Sequence, residues 1–301
     1  MTAILLLGYN RPENIIKRVG EISRNNPSHL YISLDKCEDR SVSDSMKDAF
    51  ERAVRNYHDP SRITFTQQVE NLGISNHIRV AIDKTLETEK QIVILEDDIS
   101  IGSKFLSHLE VGYKSTVKGP NVGTIGGFSG VPILIDPIRN YWRKSKYFSA
   151  WGWMVGVDTW SKYQPLIPPG EIETQLKDSN SWQSLSNVQR KTWVGRFEKV
   201  RRYPKLTWDY QMQYTTFKYD LVHTLPLFRI CENEGFADSR STNTRNPRPK
   251  WMQSEIICEA KFSHLDLPWP SQLVLDQVDS FTISGDSGLR KGINKVRGLN
   301  S

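Results

Sequence analysis

Short apolar runs alternate with amphipathic stretches through the first hundred residues of the chain. Apolar runs of strand length lie at residues 3–7, 30–34, 63–66 and 91–95. Between them, apolar residues recur at helical spacing in three groups: Ile15, Ile16, Val19 and Ile22; Met46, Phe50, Ala53 and Val54; Ile78, Ala81, Ile82 and Leu86. Continuous apolar strands joined by helices predict an α/β fold, a parallel sheet with helices on both faces.

The pattern is less regular after residue 101. Residues 122–125 and 225–231 predict further strands, and residues 208–217 predict a helix. Residues 171–192 are polar and poor in β-branched side chains, so we expect a mobile or partly helical excursion there.

The C-terminal part carries weaker signals. Residues 236–250 predict a basic loop rich in Arg, Asn and Pro, and the tail has little patterning. We therefore divide the chain into a βα half (1–101), a second half of the same domain (102–270) and a C-terminal tail (271–301).

Composition indicates an ordinary globular protein that binds no nucleic acid. Of 301 residues, 38% are hydrophobic and 25% charged, as in water-soluble domains. The net charge of +6 is modest, and we expect it to be spread along the chain. No run of Lys and Arg is long enough to form a nucleic-acid-binding arm.

The cysteines and the N-terminus predict a cytoplasmic location. Cys37, Cys231 and Cys258 are far apart and form no CxxC pair, which suits a reducing compartment. The N-terminus lacks the basic region of a signal peptide, and no stretch approaches the ~20 apolar residues that span a bilayer. Peripheral association with the inner face of a membrane stays open.

An acidic triplet follows the fourth apolar run directly. Glu96, Asp97 and Asp98 would repel one another unless a cation joined them. Oxygen ligands suit Mg²⁺ or Mn²⁺, which keep substrate phosphates in their coordination shell. The triplet therefore predicts a metal–nucleotide site, with a solvated acidic turn as the alternative.

Other polar residues follow the first and second apolar runs. Tyr9, Asn10 and Arg11 come after the first run, and Asp35 comes after the second. Ligands of such sheets bind outside the carboxyl ends of the strands, so one crevice is expected to receive these residues and the triplet.

Several of these stretches resemble glycosyltransferases with the GT-A fold. Residues 6–12 resemble the opening strand and loop of that class, and residues 32–35 resemble its second strand. Residues 76–82 and 93–98 resemble enzymes of the N-acetylglucosaminyltransferase I type, and the likeness extends to family 2 enzymes. The resemblance implies a Rossmann-like, mixed and mostly parallel sheet that binds a nucleotide-sugar in its first half.

The resemblance also implies individual roles. Asp98 would hold the metal, Mn²⁺ or Mg²⁺, while Glu96 and Asp97 would face the nucleotide and the donor sugar. Asp35 would contact uracil, and His77 would lie close to the nucleotide. From the residues alone, a lone His is more often a structural side chain.

Residues 147–154 form an aromatic segment in the second half, and within it residues 150–154 resemble the GWM segment of the same enzymes. It predicts donor contacts by Trp151, Gly152 and Trp153. The alternative is a packed core hairpin, because Trp side chains are usually well buried.

A second acidic position lies near a predicted helix start. Thr207, Trp208 and Asp209 resemble the site of the catalytic base. A carboxylate there can take the proton from the acceptor hydroxyl, and Trp208 can stack on the acceptor sugar. The alternative for Asp209 is a helix cap.

Together these features predict an inverting glycosyltransferase. It would move a sugar from a nucleotide-sugar, with UDP-sugars implied by the resemblance, to a hydroxyl of a glycan or glycolipid acceptor. The alternatives are a nucleotidyltransferase and a nucleotide-sugar-binding protein without catalysis. A nucleotidyltransferase would normally have a Gly-rich first loop that bears Lys or Arg, and residues 8–12 fit that pattern poorly.

Overall fold

A sheet of eight strands lies at the centre of the protein in a computed structural model. The structure describes residues 1–116, 119, 121–128, 142–226, 229–236, 238–240, 276 and 279. The strands are β1 (Ala3–Gly8), β2 (Leu30–Leu34), β3 (Ile63–Gln67), β4 (Gln91–Glu96), β5 (Ile99–Ile101), β6 (Val122–Gly126), β7 (Trp142–Ser145), β8 (Trp153–Gly156), β9 (Val222–Pro226) and β10 (Cys231–Asn233). The helices are α1 (Pro12–Asn25), α2 (Arg40–Arg55), α3 (Gly73–Leu86), α4 (Phe105–Thr116), α5 (Val157–Trp160), α6 (Ile172–Gln175), α7 (Asn180–Gln183), α8 (Asn187–Arg202) and α9 (Asp209–Lys218).

The large sheet is mixed and mostly parallel. Its strand order is β3-β2-β1-β4-β8-β6-β9-β7. The pairs β3–β2, β2–β1, β1–β4 and β6–β9 are parallel, whereas β4–β8, β8–β6 and β9–β7 are antiparallel. Strands β5 and β10 form a separate antiparallel pair. The predicted α/β, Rossmann-like fold is confirmed.

Strand β1 explains why the first apolar run is continuous. Its alternate residues Ile4 and Leu6 pack into a core formed with α1, α2 and α4. Leu5 and Leu7 point to the opposite face, into a core formed with α3, α5 and α9. A strand covered by helices on both faces needs apolar side chains at every position.

The two halves of the chain share the large sheet. Strands β6, β7, β8 and β9 all come from the second half, and β8 pairs with β4 of the first half. Described residues of both 1–101 and 102–270 therefore contribute to the same sheet and to the same cores.

One expected strand needs correction, and several elements were not predicted. Residues 225–231 are not one strand, because β9 ends at Pro226, which has no N–H to donate, and β10 pairs with β5 instead. For residues 171–192 the partly helical alternative is the one observed, because they form α6, α7 and the start of α8, which pack around the buried Trp182 and Trp193. The helix α4 and the strands β5, β7 and β8 were not predicted.

The C-terminal tail reaches back to the sheet at two described positions. Asp279 is 1% exposed and forms a buried ion pair with Arg143 of β7, while Ser145 Oγ donates to its carboxylate at 2.6 Å. Lys146 Nζ lies 3.3 Å from Asp276. Most of the basic loop and of the tail lies outside the described residues.

Two further observations concern the membrane and the cysteines. Within the described ranges, no helix has the length and apolarity that crossing a membrane requires. Cys37 and Cys231 are buried and form no disulfide, and Cys258 lies outside the described residues.

Gly152 lies where the backbone of the aromatic segment comes close to Phe105, Gly127 and Cys231. Its φ of +58° lies in the left-handed region, which strongly favours glycine. Its carbonyl accepts from Gly127 N at 2.6 Å. A Cβ atom at Gly152 would lie 3.0 Å from Phe105 Cζ and 3.1 Å from Cys231 Sγ.

We predict that Gly152→Ala destabilises the fold by about 1–3 kcal/mol, because the left-handed conformation penalises a Cβ and the neighbours must shift. Gly195→Ala is the matched control. Gly195 lies within α8 with open space around it, so alanine there should stabilise by about 0.5–1 kcal/mol. Urea unfolding of both variants measures the difference. Equal stability of the two variants would contradict this account.

Candidate functional site

The carboxyl ends of three strands meet at one edge of the sheet. Strand β1 lies between β2 and β4 and is parallel to both. In this register Gly8 is paired with Leu34, and Leu7 is paired with Glu96. The residues that follow these strands therefore share one edge, as the sequence predicted.

Arg11 joins the first and fourth strands through their loops. Its Nη1 atom lies 2.7 Å from Asp97 Oδ1 and 3.1 Å from Asp98 Oδ2. Its Nε atom lies 3.5 Å from Asp238 Oδ2 and makes no hydrogen bond within the described residues. Arg11 is 7% exposed, so these charges interact largely out of water.

The acidic triplet carries more negative charge than Arg11 neutralises. Burial, followed by the charges of Asp98, Asp97 and Asp209, raises the pKa of Glu96 well above its ordinary value. Burial raises the pKa of Asp97 to about 7 even though Arg11 opposes the shift. Burial also raises the pKa of Asp98. The ionised cluster therefore lacks positive charge.

This chemistry fits a divalent cation. Carboxylate oxygens are the ligands that Mg²⁺ and Mn²⁺ prefer. One carboxylate oxygen of Asp97 and one of Asp98 already lie close to the same positively charged atom, Arg11 Nη1. In the part of the chain that the structure describes, no group of three His, Cys, Asp or Glu forms a ready-made metal site. Mg²⁺ is commonly held by one or two carboxylates, with waters and substrate phosphates completing the shell.

Asp35 fixes the start of helix α3. Its carboxylate accepts from Leu72 N at 2.9 Å, Gly73 N at 3.0 Å and Lys36 N at 2.9 Å. A carboxylate offers about four lone-pair directions, so these three bonds leave one for a ligand N–H. Asp35 is therefore both a structural residue and a candidate acceptor for a nucleobase.

His77 lies beneath the same corner. One ring nitrogen, Nε2, is 2.9 Å from Ser33 Oγ, and the side chain is buried. Burial lowers the pKa of His77, although the charge of Asp35 acts in the opposite direction. The imidazole is therefore neutral at physiological pH and suited to hydrogen bonding.

The loop after β1 supplies the accessible surface of this corner. Tyr9 is 37% exposed, and its hydroxyl accepts from Asn71 Nδ2 at 3.3 Å. Asn10 is partly buried. The Tyr9 ring is thus available to a planar ligand at the edge where Asp35 lies.

Asp209 is the first residue of helix α9. Thr207 Oγ1 donates a short hydrogen bond to Asp209 Oδ1, which also accepts from Tyr210 N at 3.0 Å. Burial raises the pKa of Asp209. Because its charge also raises the pKa of Glu96, Asp209 and the triplet belong to one electrostatic environment despite their distance in sequence.

The predicted Trp positions divide into buried and accessible ones. Trp153 and Trp208 are buried and stack on each other, with ring centroids 5.3 Å apart. In this conformation they contact the core rather than an open surface, as the core-packing alternative for Trp153 expected. Trp151 is partly buried and meets Phe128 and Phe236 edge-on. Of the three, Trp151 is the better candidate for ligand contact.

Sequence reasoning missed the residues that join the triplet from the C-terminal side. Glu234 N donates to the Asp98 carbonyl at 2.8 Å, and the Glu234 side chain pairs with Lys17 and the buried Arg18. Asp238 reaches Arg11 from the same segment. Isolated acids near a basic loop give no periodic signal, so pairing across more than 200 positions could not be inferred.

The chain shows no match to any protein-family model or to any curated protein with which it was compared.

We predict that the metal-free protein loses stability at this site as pH rises. The folded-state pKa of Asp97 is raised to about 7 from an ordinary 3.8, so the folded state retains a proton that the unfolded state has lost. The free energy of unfolding therefore falls between about pH 4 and pH 7, by up to roughly 4 kcal/mol from this group. Asp97→Asn removes that dependence and should be more stable than the wild type at about pH 8.

Chemical unfolding across this pH range in the presence of a chelator measures the effect. Asp48→Asn, at an exposed position of α2, is the matched control and should follow the wild-type profile. Parallel profiles for Asp97→Asn and the wild type would show that Asp97 is not held in this environment.

Proposed function

We propose that this protein is a metal-dependent, inverting glycosyltransferase that uses a nucleotide-sugar, with a UDP-sugar as the expected donor. The observation that carries the proposal is that the site contains two separate acidic groups in different surroundings. One is the triplet at the strand ends, next to Arg11, and the other is Asp209, whose charge reaches Glu96. The GT-A resemblance of the sequence assigns the same residues to the same roles.

The triplet is suited to the donor diphosphate. Asp98 would hold the metal, with Glu96 and Asp97 facing the nucleotide and the donor sugar. When bound, a divalent cation supplies positive charge that stabilises the diphosphate as it leaves. Arg11, which already lies between Asp97 and Asp98, would add a second positive group on the phosphate side.

The nucleoside would lie at the β2 corner. Asp35 is rigidly held by three backbone N–H groups and has one remaining direction for the N3–H of uracil. His77, which is hydrogen-bonded to Ser33, is close enough for the charge of Asp35 to act on its pKa, and Tyr9 offers an exposed ring. These residues would read the base while the triplet engages the phosphates.

Asp209 would act on the acceptor. Its carboxylate takes the proton from the acceptor hydroxyl as that oxygen attacks the anomeric carbon, and the bond to the diphosphate breaks on the opposite side. A raised pKa makes a carboxylate a stronger base, and burial raises the pKa of Asp209. Thr207 and Tyr210 both donate to Oδ1, which fixes the orientation of the carboxylate.

We predict that Asp98→Asn abolishes metal-dependent nucleotide binding while the fold is retained. The amide has the same shape but loses the negative charge that a hard cation requires. Calorimetric titration with UDP and Mn²⁺ tests this, with the exposed Asp48→Asn as the matched control. Unchanged Mn²⁺-dependent binding in Asp98→Asn would remove Asp98 from the metal site.

We predict that Asp209→Asn binds the donor normally and loses transfer by about 10²–10⁴-fold, the usual worth of a general base. Donor affinity should stay unchanged because Asp209 is not among the metal or nucleotide residues. Asp158→Asn is the matched control, since Asp158 is an exposed acid in the first turn of the short helix α5. Near-normal turnover by Asp209→Asn, or an equal loss in Asp158→Asn, would show that Asp209 is not the general base.

A further inference from the structure

Positive charge is concentrated on α8 and the turn that follows it. Residues 187–206 contain seven Lys or Arg residues and a single acidic residue, Glu198. Their net charge of +6 equals that of the whole chain, so the other residues balance one another. The excess is therefore local, and not spread along the chain as composition had suggested.

Helix α8 turns one side to the core and another to solvent. Trp193, Phe197 and Val200 are buried against α9 and its neighbours. Lys191, Lys199 and Arg202, spaced to share the other side of the helix, are exposed.

The exposed side continues into the turn after α8 with apolar groups. Tyr203 is 58% exposed and Leu206 is 43% exposed, with the exposed Lys205 between them. We call this surface the basic face; its members are Lys191, Lys199, Arg202, Tyr203, Lys205 and Leu206.

Arg196 of α8 lies between this surface and the proposed catalytic base. The Arg196 guanidinium lies 4.7 Å from the centroid of the Trp193 ring and 5.2 Å from that of Tyr210. Its charge acts on Asp209, whose pKa it lowers against the larger effect of burial. Two residues separate Leu206 from Asp209 in the sequence. The basic face therefore ends close to Asp209, the residue proposed to act on the acceptor.

We propose that the basic face docks on an anionic lipid membrane and that the acceptor is anchored in that membrane. Clustered Lys and Arg are attracted to anionic headgroups, while Tyr and Leu side chains enter the interface between headgroups and acyl chains. Nucleic acid is the less suitable partner, because phosphate backbones are held by charged and polar groups. The docking rests on this surface alone, whereas the anchored acceptor rests on the proposed function.

The test is cosedimentation of the full chain with vesicles. One set contains phosphatidylcholine alone, and the other contains equal parts of phosphatidylcholine and phosphatidylglycerol. The charge variant is K191Q/K199Q/R202Q/K205Q, and glutamine keeps the helix propensity of the residues it replaces. The matched control is R40Q/K47Q/R52Q/R55Q, which removes four exposed charges from α2. A third variant, Y203S/L206S, removes the apolar groups.

We expect the wild type and the α2 variant to bind the anionic vesicles and not the neutral ones. Binding should weaken with added salt, and it should fall by about 100-fold or more in the charge variant. The apolar variant should bind more weakly at every salt concentration, because its loss is not screened.

Three results would overturn the proposal that the basic face docks on a membrane. They are no binding of the wild type to anionic vesicles, an equal loss in the α2 variant, and binding of a DNA duplex through the basic face in place of vesicles. Mn²⁺-dependent UDP binding, measured on the same proteins, should be unchanged in the charge variant. If no protein binds UDP while vesicle binding persists, the proposed function fails and the docking surface stands.

Discussion

Arg11 lies between Asp97 and Asp98 at the point where the first and fourth strands end, and this charge balance governs the site. One guanidinium faces three consecutive acids that are wholly or partly buried, with Asp238 approaching from the C-terminal side. Withdrawing carboxylates from water is costly unless positive charge compensates them. The raised pKa values of Glu96, Asp97 and Asp98 follow from that imbalance. Groups of carboxylates with raised pKa values are characteristic of functional sites, which is why we propose a cation here.

The stability of the sheet allows the fold to tolerate this concentration of charge. Strands β1 and β4 are apolar at nearly every position, and both faces of the sheet are covered by helices. Glu96 is the last residue of β4, so the acidic triplet starts at the end of the apolar strand. Helix α3 is coupled to the same edge, because Asp35 holds its first N–H groups. A ligand that engaged Asp35 would therefore act on a rigid element rather than a loose loop.

Local pattern was sufficient to predict the first half of the fold and its strand-end residues. Continuous apolar runs and helical spacing located β1 to β4, and parallel pairing then required Arg11, Asp35 and the triplet to share one edge. The structure of the second half depends on contacts between residues that are far apart in the sequence. Strand β8 is short and lies between β4 and β6, and its Trp153 reads equally well as a ligand contact or as core. Its burial depends on Trp208, which lies far along the chain.

The electrostatic link between Asp209 and Glu96 was likewise beyond any local pattern, since α9 reaches the site only through the packing of the second half. The concentration of charge on α8, by contrast, was present in the sequence and needed only a count by segment.

Calorimetric titration of the wild-type protein with UDP, with and without Mn²⁺, tests whether the acidic triplet forms a cation-dependent nucleotide site. We expect UDP to bind in the presence of Mn²⁺, and its affinity to fall by at least about tenfold, or 1.4 kcal/mol, without the cation. Equal affinity with and without the cation would show that the triplet holds no metal for the nucleotide, and the absence of UDP binding under both conditions would refute the nucleotide site itself.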